Sequence, residues 1–314
     1  MLKTKKQVLQ AELEKANFFF EKKKKKEGEA ARAQLRAYAK PVVVYVVEAE
    51  AGRLRGVRLL TAGEGAQVRG RLAWEVVLPA DERVVAVASK RPNERVHSLG
   101  DVLSDRTVMH KYLNPHLLSL ATMSPYERGS ARLTVYMVDV FRGVVVHSAS
   151  HEGVCEPVHM AQSENWLAYH FKHRRNKRYE MAMLELFDAA NLPADEPFSS
   201  LSAPPPIVYN KSYAFNDAVT AMAVTTTNQG ISHRMLLIGR PTGTIYTVPK
   251  RFLDARRPQG GQPSFVEGLM PYLPYLPDVP QGILNYNQVG WLAGWLVGWS
   301  VGWIIGWLVG RPAT

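Results

Sequence analysis

A chain of 314 residues that is 46% hydrophobic can bury a real core, and its single cysteine, Cys155, excludes an internal disulfide framework. The net charge of +11 first suggests nucleic acid or a membrane surface, but residues 1–40 hold 12 Lys/Arg against 5 Glu and so supply +7 of it. The basicity belongs to one end, and no nucleic-acid partner is expected.

Residues 1–40 contain no proline and one glycine among many Ala, Glu, Lys, Leu and Gln, which predicts a basic helical tail. The block Lys22–Lys26 reads as a solvated face. The longest apolar run there, Phe18–Phe20, is too short for the core of a secretory signal. Pro41 stops the helix because proline cannot continue it. Strands follow: PVVVYVVEAEAG from Pro41, then LRGVRLL, LAWEVVL and VVAVAS. Turn signals at Arg91–Asn93 and Asn114–Pro115 bracket a less regular stretch, and GEGAQVRG at Gly63–Gly70 reads as a hairpin turn. A strand at Asn165–Phe171, a basic turn HRRNKR and a strand at Tyr179–Asp188 come next. Asn191–Pro206 is a surface loop by its Pro, Ser and Ala, and strands resume at Ala218–Thr226 and Met235–Val248. From Arg251 to Pro280 the chain is loop-rich.

The hairpin LTVYMVDVFRGVVVHSAS at Leu133–Ser150 is the clearest unit. Asp139 can accept hydrogen bonds from turn amides, and Gly143 can take the positive φ that closes the turn. Val44–Gly52 repeats the pattern with Glu48 at the place of Asp139, and Met235–Thr247 repeats it with Gly239 and the turn glycine Gly243. With Ser89 and Asp188 added, the equivalent positions Glu48, Ser89, Asp139, Asp188 and Gly239 fall at intervals of 41, 50, 49 and 51. Short strands at a period of roughly 40–50 residues are the mark of β-propeller blades.

Val289–Val309 carries no charge and is long enough to span a bilayer as a helix. Its glycines at every fourth position would form a close-packing face. Tryptophans at 291, 295, 299, 303 and 307, however, occupy the centre rather than the membrane interfaces. The Gly-Trp-Leu-Val repeat is also what a translated TTGG tetranucleotide repeat encodes. Residues 289–310 are therefore read as a low-complexity hydrophobic segment of transmembrane length.

Chemistry-bearing patterns are few. His147 and His151, or His170 and His173 beside Arg174 and Arg175, lack the company of a metal motif. Cys155 has no glycine-framed nucleophile setting. One sequon, Asn210-Lys211-Ser212, is a glycosylation candidate if the chain enters a secretory lumen.

The runs SDRTVMHKYLNPHLLSLAT (104–122), VYMVDVFRGVVVHSASHEG (135–153), SENWLAYHF (163–171), ELFD (185–188), ISHRMLLIGRPTGTIYTVPKRFLDARRP (231–258) and ILNYNQ (283–288) together resemble the C-terminal region of the ER membrane protein complex subunit 1 family. The resemblance covers roughly residues 95–288. It implies a non-catalytic scaffold of quinoprotein-like β-propellers in the ER lumen, anchored by one transmembrane helix. The complex of that family inserts tail-anchored and multi-spanning proteins into the ER membrane. The expected partners are accordingly its other subunits, the membrane and client membrane proteins, with no cofactor. Members of the family are longer and begin with a signal peptide, so this chain reads as a truncated or mis-joined version with about five blade-like units and exposed strand edges.

The expected fold is thus mainly β: a basic helical tail at 1–40, a partial quinoprotein-like propeller at 41–288 and a hydrophobic Gly-Trp helix at 289–310. Asp139, Gly143, Gly239 and Gly243 are expected as structural turn residues. The alternative is a quinoprotein-type propeller oxidoreductase. It would need a cofactor-stacking tryptophan and calcium-binding carboxylates, and only Trp74 and Trp166 lie in the blades, without an acidic cluster nearby.

Overall fold

From Val42 the sequence turns β-branched and apolar, and strands follow one another to Asn285. The computed structural model describes residues 42–62, 67–125, 131–189, 200–201, 203–227, 232–260, 267–276 and 283–285. The predicted helices at 1–40 and 289–310 lie outside these residues. No helix among the described residues is long and apolar enough to cross a membrane.

β1 (Val42–Glu48), β2 (Arg53–Ala62) and β3 (Gln67–Val77) form a three-stranded sheet in that order; of the turn expected at 63–70, residues 63–66 lie outside the described residues and 67–70 are already strand β3. Of the described residues, 42–46, 55–62 and 67–75 make one compact unit; 47–54 and those from 76 to 285 make a second. Within the first unit Arg55 donates to Glu75 at 2.8 Å. A Cβ at Gly56 would fall 2.1 Å from the Trp74 indole nitrogen, so only glycine fits beneath that ring.

The second unit is built on β4 (Arg83–Ser89), a small hairpin of β5 (Gly100–Val102) and β6 (Val108–His110), then β7 (Leu117–Pro125), β8 (Ala131–Asp139), β9 (Val144–Ser163), β10 (Trp166–His173), β11 (Tyr179–Phe187) and β12 (Ile207–Phe215). Seven of these make one sheet in the order β12-β11-β10-β9-β8-β7-β4. β9 explains the unusual width. Its 20 residues pair with β8 over Val144–Val154 and with β10 over Val154–Ser163, so one strand closes a four-stranded antiparallel meander and opens the next. A third meander follows, β13 (Ala221–Val224), β14 (Met235–Gly239), β15 (Thr244–Pro249) and β16 (Ile283–Asn285). Successive four-stranded meanders are the building plan of propeller blades.

The middle blade is buried on both faces because its neighbours cover it. Leu167, Tyr169 and Phe171 of β10, with Ala182, Leu184 and Leu186 of β11, pack against Leu117, Leu133 and Val135 of the preceding blade. The alternate residues Trp166, Ala168, Met181 and Met183 pack against Leu236, Ile238, Tyr246 and Val248 of the following one. This is why WLAYHF and MAMLELF are nearly continuous apolar runs rather than alternating ones.

The structure changes the phase of the expected repeat. Asp139 ends a third strand and Asp188 immediately follows one, but Ser89 ends a first strand and Gly239 ends a second. The first strands of the three blades begin at Arg83, Val154 and Ala221, 71 and 67 residues apart. The insertion carrying β5 and β6 stretches one interval and the 188–206 connection the other. Among the described residues there are one three-stranded sheet and three four-stranded blades, not five equivalent units. β12 was also unanticipated: three polar residues at its centre, Asn210, Lys211 and Ser212, look like loop until the strand is seen as the outermost of its blade.

Candidate functional site

The insertion between β4 and β7 does more than lengthen a loop. Tyr112 donates its amide to Leu186 at 3.1 Å and Asp188 donates to His110 at 2.9 Å, so the β5–β6 hairpin is docked on the end of β11 in the next blade. Two buried charge clusters fasten it there and reach into the third blade.

The first cluster surrounds Glu164, in the β9–β10 turn. Its carboxylate accepts the His97 amide at 2.9 Å and lies 3.3 Å from Lys111 Nζ and 3.4 Å from Arg234 Nε. Glu164 has φ +49, a left-handed conformation a non-glycine residue holds only when its surroundings demand it. Glu94 supplies part of that demand, accepting the Glu164 amide at 3.0 Å and the Ser163 hydroxyl. Arg234 continues outward to the carbonyls of Thr225 and Arg95, and the His97 and His233 rings sit 4.2 Å apart. Beside them, burial pushes Lys90 down to about 8 against the opposing pull of Glu94 and Glu164.

The second cluster centres on Glu185 of β11, 2% exposed. Its Oε1 accepts from Lys250 Nζ and from the Ala255 amide, both at 2.6 Å. Arg256 lies 3.4 Å from Asp254, 3.2 Å from Asp101 of the hairpin and 3.9 Å from Glu267. Burial alone would lower the Lys250 pKa; the facing carboxylates of Glu185 and Asp254 outweigh it and hold it above its ordinary value. Next to this cluster Arg257, 1% exposed, donates to the carbonyls of Phe252, Met270 and Pro271. The arrangement fixes three chain segments in one geometry and leaves exposed aliphatic groups on the hairpin: Leu99 at 57%, Val102 at 55% and Val108 at 41%. Its chemistry is mechanical.

The residues picked out from sequence fall elsewhere. Asp139 is 2% exposed: Oδ1 accepts the amides of Phe141 at 2.9 Å and Arg142 at 3.2 Å, and Oδ2 accepts from Asn114 at 2.9 Å. Gly143 and Gly243 have φ +71 and +77 at their turns. Gly239 is not a turn residue; it is the last residue of β14, paired with Ala221 and Ile245. Asn210 is exposed on β12. His147 and His151 share a face of β9 but stand about 13 Å apart along it. His151 instead bonds the Tyr169 hydroxyl at 2.7 Å. His170 is fully buried and stacked on Tyr179, while His173 lies 3.4 Å from Glu180. Cys155 donates to the Lys172 carbonyl at 3.5 Å. Trp166, 2% exposed, packs inside the core, which denies a planar cofactor its face. Among the described residues no group of three His, Cys, Asp or Glu could hold a metal ion.

Residues 2–289 match the family model for ER membrane protein complex subunit 1, second beta-propeller. The chain belongs to that family. It is similar to ER membrane protein complex subunit 1 of Gallus gallus, 39% identical over 264 residues, covering 81% of this chain and 26% of the relative. The Xenopus laevis subunit 1 is 38% identical over 259 residues, with the same coverage. That of Schizosaccharomyces pombe is 30% identical over 224 residues, covering 68% and 25%. The chain spans about a quarter of the length of the relatives it matches.

Reading the sequence missed the members of both charge clusters. The one visible signal was a carboxylate, Glu185, inside the otherwise apolar run MAMLELF, where an ion has to find a partner. Which cation answers it is settled by chain segments 65 residues apart.

Proposed function

We propose that this chain is a propeller module of a scaffold subunit of the ER membrane protein complex. It faces the lumen and supports insertion of tail-anchored and multi-spanning membrane proteins by protein–protein contact, without catalysis of its own. The observation that carries this reading is the locked β5–β6 hairpin. Lys111–Glu164 ties it to the middle blade and Asp101–Arg256 ties it to the segment that follows β15 of the third, and Leu99, Val102 and Val108 are exposed, a fixed apolar surface of the kind partner subunits bury. Membership of the subunit 1 family supports other subunits of the complex as the partners. The membrane and the client proteins belong to the proposal; the hairpin itself speaks only for a protein partner.

The test is affinity purification of the tagged full chain from microsomes, with cross-linking from residue 102. Recovery of other subunits of the complex, cross-linked at the hairpin, is expected. Recovery of the chain without any of them would overturn the proposal.

A further inference from the structure

β12 ends the seven-stranded sheet, and among the described residues only the second half of its outer side is covered. The Ser212 carbonyl accepts from the Tyr272 hydroxyl at 2.5 Å, and Ala214 exchanges bonds with Pro274 and Leu276. Among the described residues Ile207–Lys211 has strand pairing on its inner side alone, to Met183–Phe187 of β11. Asn210 lies in that stretch, exposed, as the first residue of Asn210-Lys211-Ser212.

We propose that Asn210 carries an N-linked glycan and that this glycan shields the open edge of the blade. The motif supplies the acceptor, and lysine at the middle position leaves it competent. The donor is an oligosaccharide linked to a lipid pyrophosphate. Asn210 Nδ2 bonds to C1 of the first sugar as the C1–oxygen bond breaks; the lipid pyrophosphate leaves, the amide loses one proton, and nothing is oxidised or reduced. In the folded chain the Ser212 hydroxyl is bonded to Glu180 at 3.2 Å and the strand is fixed on β11, so transfer belongs to the chain before β12 docks. The exposed position of Asn210 then lets the folded blade keep the sugar without displacing core. An unpaired strand edge invites pairing with another chain, and a bulky hydrophilic group at its middle blocks that approach.

This inference rests on the lumenal placement proposed above, and the experiment separates the two. The full chain is isolated from microsomes, treated with a glycan-releasing amidase in heavy-oxygen water, and analysed by peptide mass spectrometry. Labelled aspartate at 210 is expected, absent in Asn210→Gln and Ser212→Ala and retained in Ser212→Thr. Arg178→Thr, which makes a sequon at Asn176 in the exposed β10–β11 turn, reports lumenal entry independently. Label at 176 but not at 210 overturns the glycan and leaves the lumenal reading standing. Label at neither removes both. Light scattering tests the shielding: Asn210→Gln should self-associate measurably more than the glycosylated chain, and equal behaviour would sink that part.

Discussion

Glu185 and Lys250 meet at 2.6 Å inside the protein, the carboxylate on the third strand of one blade and the ammonium just past the third strand of the next. Taken one at a time, each would be prohibitively costly to bury. Together, with the Ala255 amide also on Glu185, they join two blades at a single point. Glu185→Ala leaves Lys250 without its closest partner and should lower unfolding stability by about 3–5 kcal/mol. Glu185→Leu combined with Lys250→Met should recover much of that loss. Urea unfolding of the three variants decides it, and a Glu185→Ala midpoint unchanged from wild type would refute the locking role.

The turn after β8 depends on one carboxylate and one glycine. Asp139→Ala removes acceptors from two turn amides and from Asn114, at a cost of about 2–3 kcal/mol. Gly143→Ala forces a side chain into φ +71 and should cost about 1–2 kcal/mol. Gly239→Ala is expected to behave differently, because Gly239 is strand and not turn. Chemical denaturation measures all three.

Stability should fall on acidification for a specific reason. Burial pushes His170 down to about 3, with His159 adding to the effect, from an ordinary value of 6.5. Between those values the unfolded chain binds a proton that the folded chain refuses, so folding weakens as pH falls, by up to about 1.4 kcal/mol per pH unit. Burial shifts His147, His151 and His159 the same way. His170→Phe, seated between Tyr179 and Phe215, should flatten the dependence without abolishing it. Unfolding midpoints at pH 7 and pH 5 provide the comparison.

The hairpin surface can be tested without touching the core. Val102→Asp and Val108→Asp alter exposed side chains that pair across β5 and β6. Thermal stability should stay within about 0.5 kcal/mol of wild type. Recovery of partner subunits from microsomes should fall several-fold. Undiminished recovery would move the contact surface elsewhere.

Much of the strand content was legible because its signals are local. The hairpin at 133–150 could be read from apolar runs broken by an aspartate and a glycine four residues apart, and the structure has it at β8 and β9. What could not be read was where one blade ends. β9 looks like the second half of a hairpin, and its change of partner at Val154 depends on which strands stand beside it. The charge clusters were hidden for a related reason: Lys111, Glu164 and Arg234 are each ordinary surface residues by type, and only their convergence makes them a lock.

The sequence by itself determined the class of fold and the family, since β-branched runs, turn chemistry and the order of motifs are written in neighbouring residues. It determined the sequon at Asn210 as well. Only the tertiary structure decided that Asn210 lies where β12 is, among the described residues, paired on one side alone, that Gly239 is strand, and that a 27-residue insertion from Lys90 to His116 is clamped across two blades. Hydrogen-bonded pairing and buried ion pairs join residues far apart in the chain, and no local pattern specifies which distant segment will complete them.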